Sequence, residues 1–142
     1  MVSNENKIDL NEKALLLALD VLMKENLPIL YCNFNLTDVQ IIQKIISVES
    51  GIDIIKLKSG FLNKNEYENI KNTMKNIYEA PLYILDKFCE IEQIFKNIAE
   101  LSKEKNVKKL YIDYSEKDKE IVKKIVDESI ISVIEILNKN NN

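Results

Sequence analysis

The chain has 142 residues, 46% hydrophobic and 30% charged, with a net charge of −3. That length suits one domain with a substantial core and is too short for two. All 20 basic residues are lysines, so no arginine clamps a phosphate and no histidine serves as a base or a metal ligand. The acidic balance lacks the basic surplus of a nucleic-acid binder; Lys103, Lys105, Lys108 and Lys109 cluster, but Glu100 and Glu104 dilute them. Abundant Lys, Asn and Ile point to an AT-rich genome. Two glycines and two prolines leave little material for loops. Cys32 and Cys89 are isolated, with no spacing for zinc or a disulfide framework. They suit a reducing cytosol. The N-terminus does not read as a signal peptide and no run is long enough to span a membrane, so a cytoplasmic protein is expected.

In chain order, residues 1–9 are polar and expected to be flexible. Asp9 or Asn11 is placed to cap a first helix, whose stripe is Leu15, Leu16, Leu19, Leu22 and Met23. Residues 29–34 form a short continuous apolar run, the pattern of a strand buried on both faces. Thr37 or Asp38 then caps a helix with Val39, Ile41, Ile42, Ile45, Ile46 and Val48 on its apolar face. Gly51 stops it, and a short helical stretch follows up to Gly60. Residues 63–79 carry Tyr67, Ile70, Met74, Ile77 and Tyr78 at helical spacing. A second strand is expected over 82–85, a helix over 90–105 and a third strand over 107–114. Residues 115–137 read as one long last helix, and 138–142 as a flexible polar tail. Helices alternating with strands predict a three-layer α/β domain around a small parallel sheet of about three strands.

These residues form an ordered series. A corner, Asn33-Phe34-Asn35-Leu36, follows the first strand, with Gln40 and Gln43 in the next helix. Then come Glu49-Ser50-Gly51, Leu57-Lys58-Ser59-Gly60-Phe61-Leu62, Glu66-Tyr67, a strand ending at Asp86, and Ile112-Asp113-Tyr114. The series resembles the C-terminal motor domain of bacterial and phage replicative DNA helicases, the DnaB-type RecA-like fold. That family writes Ser-Leu-Glu-Met at the corner and Ile-Asp-Tyr at the end of its Walker B strand. The resemblance runs from about Leu15 to Tyr114 and implies a truncated RecA-like P-loop NTPase fold over residues 1–142.

Where the chain departs from the pattern, the chemistry is expected to be lost. A phosphate loop needs glycines and then Lys-Ser/Thr. The corresponding place holds Asn11-Glu12-Lys13-Ala14, so Lys13 is at most a vestigial phosphate lysine and Ala14 offers no hydroxyl to a metal. The catalytic carboxylate position falls on Asn35, which takes no proton from water. Asp113 stands alone where a metal would need more than one carboxylate. In the family, DNA-binding loops, further strands and an arginine finger follow; here only one helix is expected. The resemblance therefore implies a catalytically inactive, non-enzymatic relative of the helicase motor, with no cofactor and no metal, acting as a protein-interaction module. Its partner would be itself or a replicative helicase, with nucleic acid and membrane not expected. A surviving nucleotide-binding or ATPase module and a DNA-binding replication accessory protein are the alternatives. Ile130, Val133, Ile134 and Leu137 spread apolar surface over more than one face of the expected last helix. They are the candidate self-association residues.

Overall fold

The computed structural model describes residues 10–138, the first three of them in backbone alone. Six helices and four strands follow one another among the described residues: α1 Leu10–Glu25, β1 Ile29–Asn33, α2 Asp38–Ser50, α3 Ile54–Ser59, α4 Lys64–Glu79, β2 Leu82–Leu85, α5 Ile91–Glu104, β3 Lys109–Ser115, α6 Lys119–Glu128 and β4 Ser132–Asn138. Helix ends follow local chemistry. Thr37 caps α2 and Asn63 caps α4, each in a reciprocal capping box with Gln40 and Glu66. Gly51 and Gly60 close α2 and α3 in left-handed backbone, at φ of 76° and 77°. A side chain would resist that conformation there. Helix α1 begins at Leu10, so Asn11 lies inside its first turn, and Asp9 falls outside the described residues.

The strands form one all-parallel sheet in the order β2-β1-β3-β4. Strand residues alternate between its two faces. Ile29, Tyr31, Tyr111, Ile134 and Ile136 pack with Ala14, Leu15, Ala18, Leu19 and Leu22 of α1 and with Ile41 and Ile45 of α2. Leu30, Cys32, Leu110, Ile112, Tyr114, Val133 and Leu137 pack on the other side, with Ile94 and Ile98 of α5 and Val122 and Ile125 of α6. The result is the three-layer α/β unit with helices on both faces. A small satellite core, Ile46, Ile52 and Ile70, seats α4 against α2.

Two expectations are corrected. The last stretch is not one helix: a 3-10 turn at Glu116–Asp118 leads into α6, which stops at Glu128, and β4 follows. Among the described residues the sheet therefore has four strands rather than three. Ile130, Val133, Ile134 and Leu137 do not share a helix. Ile130 is exposed in the connection before β4. On β4, Val133 and Leu137 face α6 while Ile134 faces α1. The physical reason lies in the residues: Ile130, Ile131, Val133, Ile134 and Ile136 are β-branched and favour strand, and the open edge of β3 supplies a partner along its full length. Asn138, expected in a loose tail, is the buried last residue of β4. Apolar helix positions also divide. Leu16, Met23, Val39, Tyr67, Met74, Tyr78 and Ile121 are exposed, because each lies on its helix's outward side.

Candidate functional site

Adjacent strands β1 and β3 send their following helices to opposite faces of the sheet, α2 to one and α6 to the other. Such a reversal opens a crevice at the carboxyl ends of the two strands, the usual ligand position in an open parallel sheet. Asn33, Asn35, Asp113 and Ser115 stand there, and Asn33 and Asp113 are register partners. Asn33 and Asp113 are fully buried and Ser115 nearly so.

The cluster is knitted together by hydrogen bonds. The Asn33 side-chain carbonyl accepts from the backbone amides of Asn35 at 2.7 Å and Leu36 at 2.9 Å. Its amide nitrogen donates to the Tyr31 hydroxyl at 2.9 Å. That hydroxyl lies 3.5 Å from Asp113 Oδ2, to which it donates. Ser115 Oγ donates to Asn35 Oδ1 at 3.2 Å. The Phe34 amide donates to the Asp113 backbone carbonyl at 2.9 Å. Burial, and then the Asp113 charge, push the Tyr31 phenol far above its ordinary range, so it stays a donor. Burial likewise keeps the Cys32 thiol protonated and inert.

Among the residues expected at a vestigial nucleotide site, Asn35 and Asp113 are brought to one place. Lys13 sits on the exposed side of α1, next to Ala14, which is fully buried in the core. An alanine in that place has no oxygen for a metal ion. Sequence reasoning missed Tyr31 and Ser115. The signal for Tyr31 was present: residues two apart on a strand share a face, so Tyr31 and Asn33 had to point the same way.

Beside the cluster, the start of α2 is tied to the end of β2. The Asp38 amide donates to Asp86 Oδ2 at 3.0 Å, and the Lys87 amide donates to the Leu36 carbonyl at 2.9 Å. The adjoining cleft, about 570 Å³, is lined by Asp38, Asp86, Glu90 and Glu92 with Phe88 and Cys89. Its carboxylates oppose a phosphate rather than cradle one. Among the described residues no group of three or more Cys, Asp or Glu side chains is placed to hold a metal ion. Nor is any described helix long and apolar enough to cross a membrane.

Chemically, the cluster offers side-chain amides, a phenol, a hydroxyl and one buried carboxylate, and much of its hydrogen-bonding capacity is spent within the protein. An amide at Asn35 does not take the proton of an attacking water.

Known proteins place this fold. Two solved structures superimpose on 90% of the chain, each at 17% identity. One is a DnaB-like replicative helicase described with its interactions with primase, at a TM-score of 0.68, of which 36% is covered. The other is an ATPase domain, at 0.67, of which 53% is covered. They show the fold, the RecA-like one. In sequence, the replicative DNA helicase DnaB of Treponema pallidum (strain Nichols) is 23% identical over 105 residues, 71% of this chain. A probable replicative DNA helicase of Trieres chinensis is 28% identical over 100 residues, 69% of this chain. The chain spans only 23% and 22% of the length of these two relatives. The model of the DnaB-like helicase C-terminal domain matches residues 12–135. With most of the chain inside that match, the protein belongs to the DnaB-like helicase C-terminal domain family.

Proposed function

We propose that this chain is a non-hydrolysing member of its family that acts by binding protein, either a second copy of itself or a replicative helicase. The observation that carries the reading is the state of the β1–β3 crevice. Where the family resemblance places a catalytic carboxylate stands Asn35, and its side-chain oxygen accepts from the Ser115 hydroxyl. Neighbouring Asn33 is committed to two backbone amides and to Tyr31. Loss of one such electrostatic group typically costs about 10²–10³ in rate. Here the carboxylate, the phosphate-loop glycines and the metal hydroxyl are replaced together. The two free thiols, Cys32 and Cys89, fit a reducing cytoplasm.

The test is ATP turnover by the purified chain, with Lys13→Ala as the control. The expected result is a rate at background in both. Turnover above background that Lys13→Ala abolishes would overturn the reading. Calorimetric titration with ATP and ADP then addresses a surviving nucleotide site, and a salt-dependent shift of labelled DNA addresses a nucleic-acid role. No heat and no shift are expected. Binding in either experiment replaces the protein-binding reading with the corresponding alternative.

A further inference from the structure

We infer that the grooved surface where α2, α4 and β2 meet the start of α5 takes an extended segment of a partner protein, one that carries a large apolar side chain and, about four residues away, a lysine or arginine. This rests on the protein-binding reading and gives it a surface and a chemistry. Two clefts make up the surface, and every residue that lines them lies between Asp38 and Gln93.

The first cleft is apolar. It holds about 370 Å³ between Ile42 and Ile46 of α2, Ile77 of α4, and Leu82 and Ile84 of β2. Met74 and Tyr78 also line it, with 52% and 90% of their surfaces in water. Helix positions three or four apart share a face, so Ile42 with Ile46 and Met74 with Ile77 and Tyr78 border one trough. The volume is at the small end for a ligand pocket and suits a large apolar side chain. Met74 is unbranched and adapts to the shape of what enters.

The second cleft is acidic, and Ile84 lines both, so the two are continuous. Asp38, Asp86, Glu90 and Glu92 line it and no lysine does. Among the described residues none of these four has a lysine within ion-pair distance. Lys87, the nearest in sequence, sets its ammonium over the Phe88 ring at 5.2 Å and lines a neighbouring cleft instead. The Asp86 oxygens accept from the amides of Asp38 and Phe88. Glu90 stands at the N-cap of α5 with no side-chain capping bond, which leaves its carboxylate for a ligand. Carboxylates gathered in one concave place focus a negative field, and a cation relieves their repulsion.

The occupant follows from the two clefts together. A bare cation gains nothing from the apolar cleft, and a wholly apolar segment gains nothing from the acidic one. A segment with both side chains fills both. Leu82 lines the apolar cleft and Asp86 the acidic one. They stand four positions apart, about 13 Å of extended chain, which sets the spacing. Nucleic acid would meet the carboxylates with like charge. A second copy paired about a two-fold axis would set this patch against itself and bring the same carboxylates together. A partner segment of opposite charge meets neither obstacle.

The experiment is fluorescence anisotropy of the chain with two labelled peptides, in which a leucine stands about four residues before or after a pair of lysines. One of them is expected to bind saturably and to be released as salt is raised. Changing its lysines to glutamate, or its leucine to serine, should abolish binding. Glu90→Gln combined with Glu92→Gln should weaken binding roughly tenfold, since two exposed charge pairs are lost. Met74→Gln should weaken it several-fold, while Glu100→Gln with Glu104→Gln, at the far end of α5, should leave it unchanged. No saturable binding by either peptide overturns the inference. So does binding that needs only the lysines, or binding that the Glu90 and Glu92 changes leave intact. Should a variant fail to fold by circular dichroism, the peptide changes alone decide. Failure here leaves the protein-binding reading standing with its surface elsewhere; ATP turnover sinks that reading itself.

Discussion

Strands β1 and β2 are both short apolar runs, ILYCN and LYIL, yet every residue of β1 is buried and every residue of β2 is only half-buried. The same division separates β3 from β4. Composition does not distinguish them; position in the sheet does. A central strand has neighbours on both sides and helices on both faces, so each side chain is enclosed. An edge strand loses one flank whatever its sequence. The two central strands also end in the polar cluster, where Asn33 and Asp113 are register partners beneath the diverging helices α2 and α6.

That contrast can be broken experimentally. The largest effect is expected from Ile112→Ala, at a fully buried position on β3, which should cost about 3–5 kcal/mol in denaturant unfolding. The same change at half-buried Ile84 on β2 should cost about 1–2 kcal/mol, since a shallower site leaves a smaller cavity. Equal costs would erase the distinction between centre and edge. Next is Asn33→Ala, which strips the half-buried backbone amides of Asn35 and Leu36, and the Tyr31 hydroxyl, of a partner and should cost about 2 kcal/mol. A neutral Asn33→Ala would mean that the cluster is not needed to hold the corner.

Thr37→Ala removes the side-chain cap on α2 and should cost about 1 kcal/mol, measured as a shift of the unfolding midpoint. A larger loss would show that the α2 terminus is fixed by more than its cap. The smallest effect concerns Tyr114, the residue on β3 that reaches across to Glu135 on β4. Burial, and then the bond to that carboxylate, push its phenol up to about 12 from the ordinary 10.0. A raised pKa in the folded state favours folding while the phenol is protonated. Its contribution is present below the ordinary phenol value and is lost as pH climbs from there toward 12. Melting temperatures through that window should fall for the unmodified chain and fall less for Tyr114→Phe. Parallel curves would show that the phenol does not link centre to edge.

The sequence by itself determined the local events and the family. The Asn63 cap was not named from the sequence, but the Thr37 cap, the glycine stops and the first three strands all follow from side chains acting on their own backbone, and each was legible. So was the corner at Asn33 and Asn35, because a strand running into a cap must turn there. The long-range cluster was legible only in part. Asn35 and Asp113 could be named from resemblance, but the bonds that spend their capacity come from Tyr31 and Ser115, and Ser115 lies 80 positions from Asn35. The end of the chain was decided by tertiary structure. Residues 119–137 carry apolar side chains that satisfy helix and strand spacing alike, with no glycine or proline between them to mark a break. A helix would leave the edge of β3 unpaired. Joining β3 satisfies a full row of backbone hydrogen bonds and splits the same residues between two cores. That choice exists only once β3 is in place, so no window of sequence contains it.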